Sequence, residues 1–324
     1  MSEYPDRPRD LPPRAFEPSN PNRSKRSQPM SKRLEGKRIV VTGASRGLGR
    51  AFAVALAEAG ARVVINGTHS EKLAETGDLI EAAGGEFLSE LGSVAETPVA
   101  DRLIARCCES WGGVDVLVNN AGTVRDRTLM RMTDEEFDDV IAVNLRGTWA
   151  CSRAAARAMK EGGGHIINII SGSAFTGPVG QTNYAAAKAG VASMMRCWAF
   201  ELERYGIRSN SLWPLALTDM TQVILERNQA LAEKEGRPLP SPEELGLGDP
   251  ADIARVLVFM ASDAAQALNA QIVSFNGRKL ALWTHPHEIN ITERIEWSLD
   301  SLDEDFFQTA GQDLQPVYKA VKRV

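Results

Sequence analysis

Short apolar runs alternate with longer amphipathic segments along most of the chain, from residue 38 to about residue 275. The segments between the apolar runs have the periodicity of helices, and the runs themselves are typical of buried strands. Strands are predicted at 38–42, 62–66, 86–91, 114–118, 165–170, 206–212 and 271–275, and helices at 48–59, 70–83, 97–111, 134–160, 183–204 and 250–262. The strands are apolar on both faces, as in a parallel sheet that is covered by helices on each side. The pattern therefore predicts an α/β fold with a doubly wound parallel sheet.

Three segments depart from this alternation. Residues 1–34 contain seven prolines and almost no periodic apolar pattern, so we expect a disordered tail in front of a single domain at 35–277. Residues 219–248 interrupt the last βα unit, either as an apolar lid over substrate or as a helix packed on the body. Residues 278–324 form a C-terminal extension that covers the active site, a partner subunit or nothing.

Composition narrows the class of protein. The 324 residues are 43% hydrophobic and 24% charged, which is typical of a globular chain. No apolar run approaches the ~20 residues that span a bilayer, and the N-terminus lacks the apolar core of a secretory signal. The four cysteines form no CxxC pair, so no metal site is indicated. We therefore expect a cytoplasmic protein without a membrane partner.

Charge is unevenly distributed along the chain. Residues 1–38 hold ten Lys/Arg and five Asp/Glu, so this segment has a net charge of +5. The whole chain has a net charge of −5, so the rest of the chain carries −10. The basic tail is solvated or touches an anionic partner, whereas the folded body is acidic. An acidic body without a basic stripe argues against a nucleic-acid partner.

A glycine-rich loop joins the first predicted strand to the first helix. Its sequence is Thr42-Gly-Ala-Ser-Arg-Gly-Leu-Gly49, and its glycines let the backbone turn tightly and approach a ligand. The helix that follows presents unpaired N–H groups and a partial positive charge to a phosphate. The loop is either a pyrophosphate-binding turn of a dinucleotide site or an ordinary glycine-rich βα turn.

The end of the second strand bears on which dinucleotide would bind. NAD-binding folds usually place an acid there to bond the ribose 2′-hydroxyl. Here the run Asn66-Gly-Thr-His69 offers no carboxylate, whereas Arg46 lies in the loop and Thr68 adds a hydroxyl. A cation and a neutral donor suit a 2′-phosphate. NADP(H) is therefore predicted, with NAD(H) as the alternative.

Tyr184 and Lys188 are four residues apart on a predicted helix, so their side chains share one face. A phenol with a pKa near ~10 is a poor acid–base catalyst at neutral pH. A neighbouring ammonium favours the phenolate, so the sequence predicts a lowered pKa for Tyr184. Ser171 ends a strand and can bond a substrate oxygen, and Asn144 can hold a water or a bent backbone. Taken alone, the Tyr–Lys pair is more typical of a surface contact.

Several motifs occur in one order along this sheet: Thr42-Gly43 to Gly49, Asn119-Asn-Ala-Gly122, Asn144, Ser171, and Tyr184-Ala-Ala-Ala-Lys188. Ser171 precedes Tyr184 by 13 residues and follows Asn144 by 27. In these features residues 34–277 resemble the short-chain dehydrogenase/reductase family, in particular its β-ketoacyl reductase-like and (3R)-hydroxyacyl dehydrogenase-like members. The resemblance implies a Rossmann-type sheet and an oxidoreductase that interconverts a ketone and a secondary alcohol.

The resemblance also implies roles for individual residues. Tyr184 would be the general acid/base, Lys188 would lower its pKa and bind the nicotinamide ribose, and Ser171 would orient the carbonyl. Asn144 would support a proton relay. Cofactor contacts are implied at Gly43, Ser45, Arg46, Gly47, Leu48, Gly49, Thr68, Asn120, Ala121, Gly122, Tyr184, Lys188 and Pro214. The long helices at 134–160 and 183–204 would carry the contacts of a homo-oligomer, a dimer or a tetramer.

Two departures bear on the substrate and the cofactor. Gly92 stands where the family often has an aspartate that bonds adenine, and Leu215 replaces the glycine after Pro214. The segment after Pro214 is shorter than in many members of the family, and in this it is similar to the dehydrogenase part of bifunctional β-oxidation enzymes. Those enzymes, however, usually have an acidic residue at the position where this chain has Gly67. We expect a 3-oxoacyl thioester substrate, carried on acyl carrier protein or coenzyme A. The alternatives are a steroid, sugar or xenobiotic ketone, or a catalytically idle dinucleotide-binding scaffold.

Overall fold

A computed structural model describes residues 33–217, 246–286 and 291. The strands are β1 (Arg38–Val41), β2 (Arg62–Gly67), β3 (Glu86–Leu91), β4 (Val116–Asn119), β5 (Gly164–Ile169), β6 (Ile207–Pro214), β7 (Ile272–Phe275) and β8 (Leu280–Leu282). The α-helices are α1 (Gly47–Glu58), α2 (Ser70–Ala82), α3 (Thr97–Trp111), α4 (Asp134–Ile141), α5 (Thr148–Ala158), α6 (Ser173–Thr176), α7 (Thr182–Glu201) and α8 (Pro250–Ala261). Short 3₁₀ turns lie at Leu129–Arg131, Glu203–Tyr205 and Asp263–Ala265.

The described strands form one eight-stranded sheet in the order β3-β2-β1-β4-β5-β6-β7-β8. β1 to β7 pair in parallel, and β8 pairs with β7 antiparallel. The strand order reverses between β1 and β4, so a crevice opens at the carboxyl ends of these strands, where doubly wound sheets bind ligands. The predicted α/β doubly wound sheet is confirmed.

The sheet is covered on both faces by apolar packing. One buried cluster joins β1 and β2 to α1 and α8, with Phe52 and Leu257 fully buried. The opposite cluster joins the central strands to α3 and α5, with Leu103 and Ile166 fully buried. Burial on both faces explains the continuous apolar runs of the strands. Because helices cover both faces of the sheet, its carboxyl edge is the part that remains for the loops with the candidate catalytic and cofactor-binding residues.

The predicted elements and the observed ones differ at two places that matter for function. The single helix expected at 134–160 is divided by a π-helical segment, Ala142–Gly147, between α4 and α5. The strand β8 was not predicted; it begins just after the sharp turn at Gly277, where φ is +89°. Its three residues are too few for a periodic pattern, and only pairing with β7 defines them as a strand.

The boundaries of the body also differ slightly from the expectation. Leu34 was predicted to lie in the disordered tail, but its side chain is 1% exposed and packs in the core. Its backbone N–H donates to the Ala59 carbonyl at the end of α1, which fixes this residue to the body. The rest of the predicted tail, residues 1–32, lies outside the described residues. Of the predicted lid at 219–248, only residues 246–248 are described. There Gly248 donates to the Leu215 carbonyl and accepts from Leu217, so the two flanks of the insert are paired.

The C-terminal extension is described up to residue 286 and at residue 291. No helix in the described parts of the chain is long and apolar enough to cross a membrane.

Candidate active site

The glycine-rich loop has the backbone that its sequence predicts. Gly43 and Gly47 have φ values of +66° and +56°, in the left-handed region that favours glycine. A Cβ at Gly43 would lie 2.7 Å from the Cα of Ala121, and one at Gly49 would collide with the Gly43 carbonyl. These glycines therefore bring β1, the loop and the segment after β4 into close contact. The N-terminus of α1 lies at the end of this cradle, as a pyrophosphate site requires.

Ser45 occupies the space beside the end of β2. Its side chain is buried, and its Oγ has no hydrogen-bond partner among the described residues. A Cβ at Gly67 would collide with this Oγ, so the position after β2 is closed to a larger side chain unless Ser45 moves. A buried hydroxyl without a partner is costly. The Ser45 hydroxyl is therefore available to donate to a bound polar group.

The segment after β4 is bonded to the loop through Thr42. The Oγ1 of Thr42 accepts from the backbone N–H groups of Asn120 and Ala121, each at 3.0 Å. The side chain of Asn120 donates in turn to the carbonyls of Thr42 and Gly43 at 3.0 Å. These bonds fix the Asn119–Gly122 run against the loop, which is a structural role beside its predicted cofactor contacts.

Arg46 and Thr68, predicted to read the 2′-phosphate, both lie exposed at the carboxyl edge of the sheet. The end of β2 is held by Asn66, whose side chain donates to the Glu90 and Gly92 carbonyls at 3.0 Å. At Gly92 φ is +144°, and a Cβ would lie 2.8 Å from Val99. The glycine at position 92 is therefore required by the local backbone and packing.

Asn144 lies inside the π-helical segment. Its Nδ2 donates to the Thr123 carbonyl at 2.8 Å and to the Val140 carbonyl at 3.0 Å. Its Oδ1 has no partner among the described side and main chains. A Cβ at Gly122 would lie 2.6 Å from this Oδ1 and 3.7 Å from the Nζ of Lys188. Asn144 and Lys188 therefore border the same small space.

Tyr184, Lys188 and Ser171 come together at the carboxyl end of β5. Lys188 Nζ donates to the Ile169 carbonyl at 2.9 Å and lies 5.6 Å from the centre of the Tyr184 ring. The Ser171 and Tyr184 hydroxyls are hydrogen-bonded to each other. The backbone N–H of Ser173 donates to the Ser171 Oγ at 3.3 Å. These bonds hold both hydroxyls beside the same buried ammonium.

The pKa values of this pair are governed by burial. Desolvation raises the pKa of Tyr184 to about 12, although the hydrogen bond from Ser171 acts in the opposite direction. Desolvation also lowers the pKa of Lys188 to about 8. The predicted lowering of the Tyr184 pKa is therefore wrong for this structure, because desolvation of the phenolate outweighs the hydrogen bond from Ser171.

The remaining predicted contacts also lie along the crevice. Leu48 is in the first turn of α1, partly buried against the core on that face of the sheet. Pro214 ends β6, and the next residue, Leu215, donates its N–H to the Phe275 carbonyl. The loop, the segment after β4, the Tyr–Lys pair and Pro214 thus meet along one edge of the sheet.

Three functional neighbours were not predicted from the sequence. Asn183 is fully buried; its side chain donates to the Arg125 and Glu136 carbonyls and accepts from the Tyr184 N–H, so it anchors the first turn of α7. Trp213 and Trp283 pack together beside the loop that carries Ser171. The role of Asn183 could have been predicted from the sequence, because asparagine side chains commonly form hydrogen bonds with the backbone near the start of a helix. The contact between the two tryptophans depends on the antiparallel strand.

The cradle fits a dinucleotide. It has close-packed glycines at positions 43 and 49, a helix N-terminus and the unpartnered Ser45 hydroxyl, all on the edge where the Tyr–Lys pair lies. Ser45 and the loop N–H groups would hold the pyrophosphate, and Lys188 would face the ribose near the reactive ring. A bound nicotinamide would supply the hydride chemistry there.

Comparison with known proteins gives the class. A family model described as short chain dehydrogenase matches residues 37–229. The chain belongs to the short-chain dehydrogenase family and is an oxidoreductase that acts on CH–OH groups with a nicotinamide dinucleotide. The predicted family and reaction class are confirmed.

Individual relatives agree with this class. The hydroxyacyl-CoA dehydrogenase ChsB1 of Mycobacterium tuberculosis is 38% identical over 268 residues, covering 78% of this chain and 81% of that protein. The 3-oxoacyl-[acyl-carrier-protein] reductase FabG of Staphylococcus aureus is 37% identical over 244 residues, covering 74% and 97%. The crystal structure of a short chain dehydrogenase from Mycobacterium avium superposes with a TM-score of 0.74 at 32% identity, over 88% of this chain and 98% of that one.

Proposed function

We propose that this protein is an NADP(H)-dependent reductase that converts a 3-oxoacyl thioester into the corresponding hydroxyacyl thioester. The observation that carries this proposal is the meeting of the Ser171 and Tyr184 hydroxyls beside the buried ammonium of Lys188, at the edge of the sheet where the dinucleotide cradle opens. The names of ChsB1 and FabG support a thioester substrate, because both refer to acyl groups on a carrier.

The reaction places negative charge on the carbonyl oxygen. As hydride adds to the carbonyl carbon, the π electron pair of the C=O bond moves to oxygen, and Ser171 and Tyr184 donate hydrogen bonds to it. The Tyr184 O–H then gives its proton to this oxygen and completes the alcohol. At neutral pH the phenol carries its proton, so Tyr184 holds the proton that the reduction requires.

Lys188 and Asn144 assist the proton transfer from the Tyr184 phenol. The ammonium is held by the Ile169 carbonyl and offsets the negative charge that remains on Tyr184 after it gives up its proton. The Oδ1 of Asn144 borders the same space beside Gly122, so it is an acceptor on the path by which the proton is restored. Asn144 is therefore the relay residue of the proposed mechanism.

The cofactor preference rests on the surroundings of Thr68. The Oγ of Ser45 lies where a Cβ at Gly67 would stand, so an acid at position 67 that could bond a ribose 2′-hydroxyl would require Ser45 to move. Arg46 and Thr68 are exposed on the same edge and offer a cation and a hydroxyl to a 2′-phosphate. These features favour NADP(H) over NAD(H).

The proposal also includes a homo-oligomer, cytoplasmic location and no nucleic-acid or membrane partner. The contacts expected along α4, α5 and α7 are supported by large apolar side chains that remain exposed there, at Phe137, Trp149 and Phe200. Exposed aromatic residues of this size are typical of interfaces between subunits.

The experiment is a comparison of wild type with Tyr184→Phe. Both are assayed for NADPH and NADH oxidation against 3-oxoacyl thioesters, steroids and small ketones. We expect wild type to favour NADPH with thioesters, and the variant to lose at least ~100-fold in kcat while its affinity for NADPH is retained. Turnover by the variant at the wild-type rate would contradict the role of Tyr184. An idle scaffold would bind NADPH and reduce nothing in either form. Faster turnover of steroids, sugars or xenobiotic ketones than of thioesters would favour the alternative substrates.

A further inference from the structure

Three aromatic rings pack against one another beside the loop that carries Ser171. The rings of Trp213 and Trp283 are 4.5 Å apart between centroids, and Phe175 stacks on Trp283 at 5.3 Å with an interplanar angle of 12°. The distance from Phe175 to Trp213 is 6.1 Å. We call this cluster, Phe175, Trp213 and Trp283, the aromatic wall.

The wall is attached directly to the catalytic loop. Phe175 lies in α6, whose first turn is closed by bonds to the Ser171 and Gly172 carbonyls. The indole of Trp213 covers Gly172 so closely that a Cβ there would collide with it. Phe175 therefore lies four residues after Ser171, whose hydroxyl is proposed to hold the substrate carbonyl, and Trp213 lies against the residue that follows Ser171.

The C-terminal segment supplies the third ring. Trp283 follows β8, its backbone N–H donates to the Ile272 carbonyl, and its Nε1 donates to the Ser274 Oγ at 3.0 Å. Ser274 is the register partner of Trp213 in the sheet. Trp283 lies beyond the part of the chain that the family model matches, so this ring is a feature of the extension.

The wall keeps an apolar surface open beside the site. Phe175 is 39% exposed although it stacks on a tryptophan, and Val179 in the following turn is 89% exposed. Aromatic faces bury large apolar area and hold a bulky partner in a defined orientation. A short polar substrate would leave this surface in water.

We infer that the aromatic wall binds the acyl part of the substrate, and that Trp283 makes the protein selective for thioesters with a large apolar acyl group. This inference rests on the proposed function, since it concerns the group attached to the carbonyl that Ser171 holds. Phe175 contacts the acyl group, and Trp283 is a positioning residue that holds Phe175 and Trp213 in place. Two kinds of acyl group, a long chain and a fused ring system, both offer the large apolar surface that the aromatic wall would bind.

The test compares Phe175→Ala, Trp283→Ala and Trp283→Phe with wild type. Each is assayed with acetoacetyl-CoA, with a long-chain 3-oxoacyl-CoA and with a ring-bearing 3-oxoacyl-CoA. We expect Phe175→Ala and Trp283→Ala to lower kcat/KM for the preferred bulky thioester by about tenfold, chiefly through KM. Acetoacetyl-CoA should be reduced at nearly the wild-type rate, and Trp283→Phe should recover most of the loss. Phe259→Ala, at an exposed phenylalanine on α8, is the matched control and should change nothing.

Several outcomes would overturn the inference. Equal losses on the short and bulky thioesters would mean that the wall only braces the Ser171 loop. Unchanged selectivity in both alanine variants would mean that the wall does not touch substrate. If Trp283→Ala does not fold, Phe175→Ala and Trp283→Phe still decide the question.

A binding measurement separates this inference from the proposed function. Titration of wild type and Phe175→Ala with the bulky hydroxyacyl-CoA, followed by tryptophan fluorescence, reports on the wall without turnover. Binding that weakens in the variant supports the wall even if wild type reduces no thioester, in which case the proposed reaction fails. Equal binding by both forms overturns the wall.

Discussion

Tyr184 and Lys188 lie one helical turn apart at the carboxyl end of β5, where Lys188 is buried and Tyr184 is partly buried. Burial opposes the charged form of each group, so the phenol stays neutral and the ammonium is easier to deprotonate. Holding the Lys188 cation in the protein interior costs stability.

That cost is measurable at Lys188. Its pKa is lowered from 10.5 to about 8, so between pH 8 and 10.5 the unfolded chain binds the proton that the folded chain has lost. Stability from this group therefore rises with pH across that window, and the full penalty is present below pH 8. We expect Lys188→Met to be more stable than wild type at pH 7 by about 2 kcal/mol, after the lost bond to Ile169 is counted, and to be inactive.

Urea unfolding at pH 7.0 and pH 9.5 checks this expectation, with the exposed Lys160→Met as control. The gain should shrink at the higher pH, because wild-type Lys188 is then mostly neutral in the folded state. A variant less stable than wild type at both pH values would contradict the argument.

The proposed preference for NADP(H) can be tested at one exposed position. Thr68→Asp places a carboxylate at the end of β2 without disturbing the core, because Thr68 is exposed. The new charge repels a 2′-phosphate and can accept from a 2′-hydroxyl. We expect the NADPH/NADH ratio of kcat/KM to fall by about tenfold or more.

Steady-state kinetics with both cofactors measures the ratio, and Thr68→Asn is the uncharged control. The asparagine variant should stay close to wild type. A ratio that is unchanged in the aspartate variant would place the 2′-phosphate elsewhere.

At the scale of elements, the carboxyl half of the sheet is joined by a row of asparagines. The Nδ2 of Asn119 on β4 donates to the Oδ1 of Asn168 on β5 at 2.9 Å, and the Nδ2 of Asn168 donates to the Asn210 carbonyl on β6 at 3.2 Å. Asn119 also donates to Ser152 on α5. This buried row ties together the strands that lead to the Asn119–Gly122 run and to Ser171.

Removing the middle of this row should destabilise the fold. Asn168→Ala leaves the Asn119 amide with one bond fewer and the Asn210 carbonyl without its side-chain donor, so we expect a loss of about 2–3 kcal/mol in the free energy of unfolding. Chemical denaturation measures the loss, and Ser193→Ala on the exposed face of α7 is the control. A loss equal to that of the control would show that the row is not a source of stability.

Most elements were predictable because the apolar runs of the central strands are buried on both faces of the sheet. α3 and β3 begin and end as the pattern predicts. The π-helical segment could not be read in the same way, because Ala142–Gly147 continues the amphipathic pattern of its neighbours. Its extra residue per turn is visible only in the backbone hydrogen bonds. The strand β8 exists because β7 offers an unpaired edge.

At the scale of the whole molecule, the exposed aromatic residues of the long helices point to subunit contacts. Trp149 on α5 is 39% exposed, with the Arg153 guanidinium 4.5 Å from its ring centroid. We expect wild type to be a dimer or a tetramer and Trp149→Glu to shift it toward smaller species, because a charge is costly in an apolar interface.

Light scattering after size-exclusion chromatography over a range of concentrations measures the assembly. Leu79→Glu, at an exposed apolar residue of α2, serves as the control. A monomeric wild type at every concentration would contradict the oligomer.

The sequence by itself determined the sheet, the family and the residues from which the site is built. It did so through the order of the apolar runs and the spacing of the motifs, which can be recognised without knowing any contact between distant segments. Only the tertiary structure decided the direction of the pKa shifts, the closure of position 67 by Ser45 and the aromatic wall completed by Trp283. Each of these depends on burial or on contact between segments far apart in the chain. Burial and contact are properties of the folded chain, which a one-dimensional pattern does not contain.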